Sequence, residues 1–302
     1  SRTYGTSPDS KWFLYLKDKR VHAFNLETGK DAIIDAGVPK NVSFVNAEDD
    51  HDYEKPIYGV SGWSKDGKSV LLDHRYDIWQ LPLEPTGGTP VNLTKGVGDK
   101  EQIRFRLARL TGGRGGRGGG GGFGGGAAGD DEGIDLSQPL LLSAYGEWTK
   151  KSGYYTLAPG GVPAPLRYLD KDVGSATRAK DADRVIYTEQ TFQEFPDWWV
   201  SDAKFSAPRK VTDANPFISE YAWGGKVLID FKNSKGQRLQ GTLTLPAGYQ
   251  PGKKYPMLVY FYEITSNTHH NFSMPAFDDR PQMSTYASNG YLMFQPDVVY
   301  EI

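Results

Sequence analysis

Ser64-Lys65-Asp66-Gly67-Lys68, followed by the apolar run Val70-Leu71-Leu72, sets the frame for reading the whole chain. Asp-Gly among polar residues signals a turn, and a short run of β-formers behind it signals a strand. The pattern occurs earlier as Ser7-Pro8-Asp9-Ser10-Lys11 before Trp12-Phe13-Leu14-Tyr15-Leu16, with Asp9 57 residues ahead of Asp66. Val21-His22-Ala23-Phe24 and Ile78-Trp79-Gln80-Leu81 keep the same offset. A third turn, Lys180-Asp181-Ala182-Asp183-Arg184, stands about two periods after Asp66 and leads into residues 185–188. Gly153-Tyr154-Tyr155-Thr156-Leu157 with Pro159-Gly160-Gly161 mirrors Asp77 to Leu81 with Thr86-Gly87-Gly88. Asn92-Leu93-Thr94 and Lys210-Val211-Thr212 close two copies alike.

A repeat of roughly 40–50 residues with four short strands marks a propeller blade, and a longer period implies longer loops. The alternative is an irregular β-sandwich whose turns coincide; three features held in one phase favour blades. Residues 1–223 are therefore expected to form the β-propeller portion, about four blades with the first incomplete. The fold class expected is mostly β, partial β-propeller blades followed by the start of an α/β domain.

Within this pattern sits a compositional break. Of 36 glycines, 13 fall in residues 112–129. Such a segment cannot bury enough apolar surface to offset backbone entropy, so residues 110–132 are expected to be a flexible insert. An Arg-Gly-Gly tract for RNA is the functional alternative, but only Arg114 and Arg117 serve it, and the net charge of −2 offers no field for nucleic acid. The partners expected therefore include no nucleic acid. No apolar run is long enough for a membrane-spanning helix. The absence of cysteine excludes disulfides, thiol catalysis and Cys-ligated zinc. Ser1 at the start, and Tyr300-Glu301-Ile302 after an apolar run, read as the ends of an internal piece of a longer protein. That leaves export and localisation unknown.

From Lys226 the pattern changes. Val227 to Phe231 and Leu239 to Leu245 read as a hairpin around Asn233-Ser234-Lys235-Gly236. Met257-Leu258-Val259-Tyr260-Phe261-Tyr262 is an unbroken apolar run of the type buried on both faces of a sheet. Asp278 or Asp279 can cap a helix with Pro281 in its first turn, ending at Asn289-Gly290 before a strand at Tyr291-Leu292-Met293-Phe294. Strand, helix, strand opens an α/β domain over residues 224–302.

Phe195-Pro196-Asp197-Trp198-Trp199-Val200, Val211-Thr212-Asp213-Ala214-Asn215-Pro216, Gly236 to Pro246, and Lys254-Tyr255-Pro256 follow one another in an order that resembles the prolyl oligopeptidase family of serine peptidases. The resemblance covers nearly the whole chain. It implies a β-propeller joined to an α/β-hydrolase domain, a peptide substrate, no cofactor and no metal. It also implies a nucleophile on a Gly-x-Ser-x-Gly elbow, followed in the chain by Asp and then His. This chain has no such elbow: Gly59-Val60-Ser61-Gly62 is one residue short. The reading is of a serine-type peptidase fragment whose propeller gates the site and which is inactive alone. The alternative is a non-catalytic propeller binding module with a degenerate hydrolase-like domain.

The resemblance makes Tyr262 the oxyanion donor, a group that meets charge formed only in the transition state. The family pattern has small residues and proline next; here Glu263-Ile264-Thr265 follows, and Glu263 is a candidate for binding a substrate amine. Asp49, Asp50, His51 and Asp52 form an acidic loop, expected as a solvated turn, with a substrate-amine contact as the alternative. His269-His270 with Asp278 and Asp279 carry metal ligands in type but not in spacing. Trp198 and Trp199 read as propeller core and rim. Deleting Gly112–Gly129 should shift the thermal midpoint little, because each doubling of a flexible loop costs only about 0.6 kcal/mol; loss of cooperative melting would show that the insert packs.

Overall fold

The computed structural model describes residues 2–84, 86–110, 133–276 and 281–300. The predicted flexible insert lies outside these residues except for Leu110, and so do Asp278 and Asp279.

Four antiparallel sheets follow one another along the chain, each a meander or nearly so. The first is β1 (Arg2–Thr6), β2 (Trp12–Lys17), β3 (Arg20–Asn25) and β4 (Asp31–Ile33). The second is β5 (Gly59–Trp63), β6 (Ser69–Asp73), β7 (Ile78–Pro82) and β8 (Val91–Asn92). After the single-turn helix α1 (Val97–Glu101), the third takes β9 (Ile103–Leu107), β10 (Leu140–Gly146), β11 (Ser152–Leu157) and β12 (Ala164–Leu169). In the fourth, β13 (Asp172–Val173) and β14 (Thr177–Arg178) both pair with β15 (Val185–Gln190), which continues to β16 (Asp197–Ser201) and β17 (Arg209–Lys210). The first sheet, expected to be incomplete, has four strands. The turns at Asp9 and Asp66 precede the second strand of their sheets, and the turn at Asp181 precedes β15, which lies second in the order across the fourth sheet, so the sequence phase corresponds to a structural one.

Alternation along the strands shows how these sheets are arranged. All five residues of β6 are buried. Val70 and Leu72 join a core with Trp12, Leu14, Leu16 and Val21 of the first sheet, whereas Leu71 joins Phe105, Leu142 and Tyr155 of the third. Neighbouring side chains on a strand point to opposite faces, so the second sheet is sandwiched between the first and the third. In β11, Tyr155 packs toward the second sheet, and Tyr154 joins Val185, Tyr187 and Phe205 of the fourth. The sheets thus stack face on face in chain order, giving a propeller-like β domain.

Polar clasps repeat with the blades. In the turns before β2 and β6, the Ser7 and Ser64 hydroxyls each donate to the aspartate two residues on, both at 2.6 Å. At the entry to the third strand of the second sheet, buried Asp77 accepts the Thr94 hydroxyl at 2.6 Å, and Thr94 Oγ1 accepts the Ile78 N–H. In the fourth sheet Asp197 accepts the Thr212 hydroxyl at 2.6 Å, and Thr212 accepts the Trp198 N–H. The first sheet fills the same register with an ion pair, Arg20 Nε to Asp35 at 2.9 Å. Asp77 also accepts the Gly98 N–H, and a Cβ on Gly98 would meet the Tyr76 carbonyl oxygen at 2.6 Å, so only glycine fits there.

The fifth sheet has the order β18 (Gly225–Lys232), β19 (Arg238–Leu245), β21 (Leu292–Pro296), β20 (Met257–Val259), with β20 parallel to β21 and the other pairs antiparallel. The helix α2 (Met283–Ser288) starts after Gln282, later than expected, and leaves Pro281 ahead of the N-cap. Two expectations fail at β20. The strand is three residues long rather than reaching Tyr262, and Met257, Leu258 and Val259 are 51%, 37% and 51% exposed rather than buried. The physical reason is position: β20 is the edge of this sheet, and apolar composition alone cannot distinguish an edge from a centre.

Thr94→Val removes the hydroxyl from a fully buried clasp and should lower stability by about 1–3 kcal/mol. Ser137→Ala, at an exposed hydroxyl–carboxylate bond, should stay within about 0.5 kcal/mol. Urea midpoints read both; equal effects would mean that the clasp does not hold the blade.

Candidate active site

The fifth sheet meets the blades through two hairpins. The β10–β11 hairpin is tight, with Lys150 in the left-handed region at φ 58° and its N–H bonded to the Gly146 carbonyl. Its Trp148 ring stacks on the Arg238 guanidinium at 4.1 Å, and its Trp148 carbonyl accepts Gln240 Nε2 at 2.8 Å. The β15–β16 hairpin brings Phe192 and Phe195 against Trp223 and Phe272, and the last two rings stack at 5.0 Å. Phe272 N–H also bonds to Gln190 of β15.

Beside the first of these contacts lies a cavity of about 830 Å³. One wall is the loop from Ala47 to Lys55 with Arg75; a second is Glu147, Trp148 and Lys150; the third is Gln237 to Gln240, Ile264, Asp297, Val299 and Tyr300. Ile264 follows β20 and Asp297 follows β21, so the carboxyl end of the parallel pair opens into the cavity. That is where sheets of this kind hold ligands. An ionic lattice ties two walls together: Glu48 pairs with Arg75 at 2.9 Å and Arg104 at 3.4 Å, and Arg104 pairs with Glu147 at 2.9 Å.

The loop after β20 is pinned from below. Asp297 accepts the N–H groups of Thr265 and Ser266 at 2.8 and 2.7 Å and the Ser266 hydroxyl at 2.6 Å. Its own N–H bonds to the Gln240 carbonyl. Ser266 is fully buried with its hydroxyl spent on Asp297, so it positions the loop and is not a nucleophile. No sequence signal pointed to this pair, because its members are 31 residues apart and belong to no motif.

Tyr262 and Glu263 lie in this loop. Tyr262 is 62% exposed and neither residue lines the cavity; the Glu263 carbonyl accepts the Val298 N–H. Ile264, next along, does line it. In the acidic loop His51 and Asp52 are exposed and Asp50 is half-buried, as in a solvated turn; Asp49 departs from it. Asp49 is buried, with its carboxylate bonded by the His51 N–H, the His51 ring and the Tyr53 hydroxyl. Burial pushes the Asp49 carboxyl up, but these bonds outweigh it and hold the group below its ordinary value. Single ligand atoms of Asp49, Asp50 and His51 come within 4.8 Å of one another. Trp199 packs into the third core and Trp198 is 44% exposed, matching core and rim.

His269 and His270 contact each other, ring centroids 4.6 Å apart, and do not splay. His270 pairs with Asp170 at 3.3 Å. Burial lowers His269 to about 4, helped by His270 and Lys226, and lowers Lys226 to about 8. Lys226 donates to the Thr268 carbonyl at 3.0 Å and lies 5.4 Å from the Phe192 ring centre.

The architecture is a propeller-like β domain running into the opening strands of an α/β sheet, with a cavity at their junction. No protein-family model and no curated protein matches the chain. Solved structures do. A Bacteroides ovatus protein assigned as a dipeptidyl aminopeptidase IV superposes with a TM-score of 0.57 at 16% identity, covering 98% of this chain and 41% of its own length. Prolyl oligopeptidase B from Galerina marginata, bound to a 25mer macrocyclization substrate, superposes with a TM-score of 0.51 at 11% identity, covering 97% and 36%. The chain shares the fold of these two structures and spans less than half the length of either.

The junction should be pH-dependent. Lys226 binds a proton less tightly when folded (about 8) than when unfolded (10.5), so stability rises with pH across that window. His269, about 4 folded against 6.5 unfolded, makes stability fall as pH drops from 6.5 toward 4. In Lys226→Met, unfolding midpoints measured from pH 8 to 10.5 should lose their upward slope; an unchanged slope would place the titrating group elsewhere.

Proposed function

We propose that this chain is the last propeller blades and the opening of the hydrolase domain of a serine-type peptidase of the prolyl oligopeptidase family. Its substrates are peptides, and the blades filter their access to the site. The observation that carries the reading is the junction cavity, where the carboxyl end of the parallel pair β20–β21 faces blade loops across about 830 Å³.

In this reading the nucleophile, its aspartate and its histidine lie outside the 302 residues, since no Gly-x-Ser-x-Gly elbow occurs among them. Tyr262 donates its hydroxyl to the oxyanion of the tetrahedral intermediate. Its loop is held to the carboxyl end of β21 by Asp297, which gives the donor a fixed base. Glu263 beside it offers a carboxylate to a substrate amine. A binding module with a degenerate hydrolase-like domain is the contrasting outcome.

Two measurements decide. The chain alone should not label with a fluorophosphonate, having no activated serine. In the full-length protein, Tyr262→Phe should lower kcat by about 100-fold with KM little changed, while Tyr260→Phe should cost much less. Failure of the full-length protein to label or to cleave peptides would favour the binding module. Equal small effects of the two substitutions would remove Tyr262 from the oxyanion site.

A further inference from the structure

The fifth sheet meets the blades at two contacts of different chemistry. At the β10–β11 hairpin the groups that touch across the junction are the indole and carbonyl of Trp148, the guanidinium of Arg238 and the carboxamide of Gln240. None of these gains or loses a proton between about pH 4 and 8. At the β15–β16 hairpin the segment that follows β20 enters the junction and carries two imidazoles with it. His270 is buried, and His269 Nδ1 is buried with no hydrogen-bond partner among the described residues. Phe272 then crosses to the blade: its N–H bonds to Gln190 Oε1 at 3.1 Å, and Gln190 Nε2 donates to Asp172 at 2.6 Å.

The charged groups that bear on the two rings are Lys226 from β18, Lys150 from the β10–β11 hairpin, and Asp170 and Asp172 from the turn into β13. The Lys226 ammonium donates to the Thr268 carbonyl, one residue ahead of His269, and faces the Phe192 ring of the blade. Asp170 lies 3.3 Å from His270 Nε2, but its side chain is 73% exposed, so solvent screens much of its field. Asp172 is engaged by Gln190. Burial lowers both imidazoles, and Lys226 lowers them further. A proton arriving on either ring would add a positive charge to a buried site that already holds Lys226 and faces one screened carboxylate. Parting the two surfaces returns the rings to water and removes that cost.

We propose that His269 and His270 form an acid-released latch between the fourth blade and the fifth sheet: their protonation parts the β15–β16 hairpin from the sheet, while the Trp148 contact stays closed. The latch needs no catalytic assignment and goes beyond the peptidase reading. Its direction follows from proton linkage. A ring that is neutral when the junction is closed and free to protonate when it is open takes up a proton on opening, so acid favours the open state. For His269 the window runs from 6.5, its ordinary value, down to about 4, its value in the closed junction. Within that window one proton taken up raises the open-to-closed ratio by up to about tenfold per pH unit, and two by up to about a hundredfold. Opening bares Phe192 and Phe195 on the blade and Trp223 and Phe272 on the facing side, which are packed together when the latch is shut.

The experiment is amide hydrogen exchange, read by mass spectrometry on the full-length protein between pH 7 and 5 and corrected for the intrinsic pH dependence of exchange. The Phe272 N–H bonds across the junction, so its peptide reports opening directly. Its protection should fall about tenfold or more over this range, while β19 and the 146–151 hairpin keep theirs. In the double variant His269→Gln, His270→Gln the fall should vanish; where that variant does not fold, either single variant should cut the slope of log protection against pH by about half. Asp170→Asn removes the one carboxylate that pairs with a ring, and should move the release toward neutral pH. Lys226→Met removes the like charge and should move it toward acid. Protection of the Phe272 peptide that is constant with pH, or a fall that persists undiminished in the histidine variants, overturns the latch. So does an equal loss over β19 and the 146–151 hairpin, which would be unfolding and not opening. None of these readouts uses catalysis, so failure of the latch leaves the peptidase reading in place, and failure of that reading leaves the latch.

Discussion

A β-sheet buried on both faces has to be covered by something as wide as itself, and in this chain the covering element is the next sheet. Strand β6 makes the constraint plain: Val70 and Leu72 go to one neighbour, Leu71 to the other, and no residue faces water. Helices would need an amphipathic stripe that the sequence does not supply. Stacked sheets need only runs that are apolar on both sides, separated by turns at a steady spacing. Once the sheets stack, the hairpins at one edge are brought into line. Those hairpins, at Glu147–Lys150 and Phe192–Phe195, are the parts that meet the fifth sheet. The cavity is therefore a by-product of stacking: it is the space left between the Glu147–Lys150 hairpin, the Ala47–Lys55 loop and the carboxyl end of a parallel strand pair.

The blades were legible because their signals are local. A Ser-x-Asp turn satisfies its own backbone through a hydroxyl–carboxylate bond and announces itself wherever it recurs. The threonines that close two copies alike, Thr94 and Thr212, both reach an aspartate at the head of the third strand. The sequence showed that they matched; it did not show why. The partner lies 15 or 17 residues away, and only the ladder register brings it near. The same limit hid the Arg20–Asp35 pair, which fills that register with different chemistry.

The site was less legible, for a related reason. Tyr262 and Glu263 were singled out by resemblance, and Asp49–Asp52 by charge, yet what assembles the cavity is a set of contacts between segments far apart in sequence. Trp148 with Gln240 spans 92 residues and Arg104 with Glu48 spans 56. No composition or spacing rule reports such pairs. The run from Met257 to Tyr262 misled for the opposite reason: its composition was clear, but burial depends on what lies beside a strand, and β20 lies at the sheet's edge.

That edge has a consequence for handling the chain in solution. Met257, Leu258 and Val259 expose apolar side chains and, among the described residues, pair with a strand on one side only. An uncharged, apolar edge is a template on which a second strand can nucleate, and it is the feature that links a folded chain to fibrillar or amorphous precipitate. Lys253 and Lys254 stand a few residues ahead of it, with Tyr255 and Pro256 between, in the flank where natural sequences place charged gatekeepers. Colloidal behaviour of the isolated chain should then hinge on two lysines that do not line the cavity: neutralising them, or raising salt until their repulsion is screened, brings the edges of separate molecules within pairing distance.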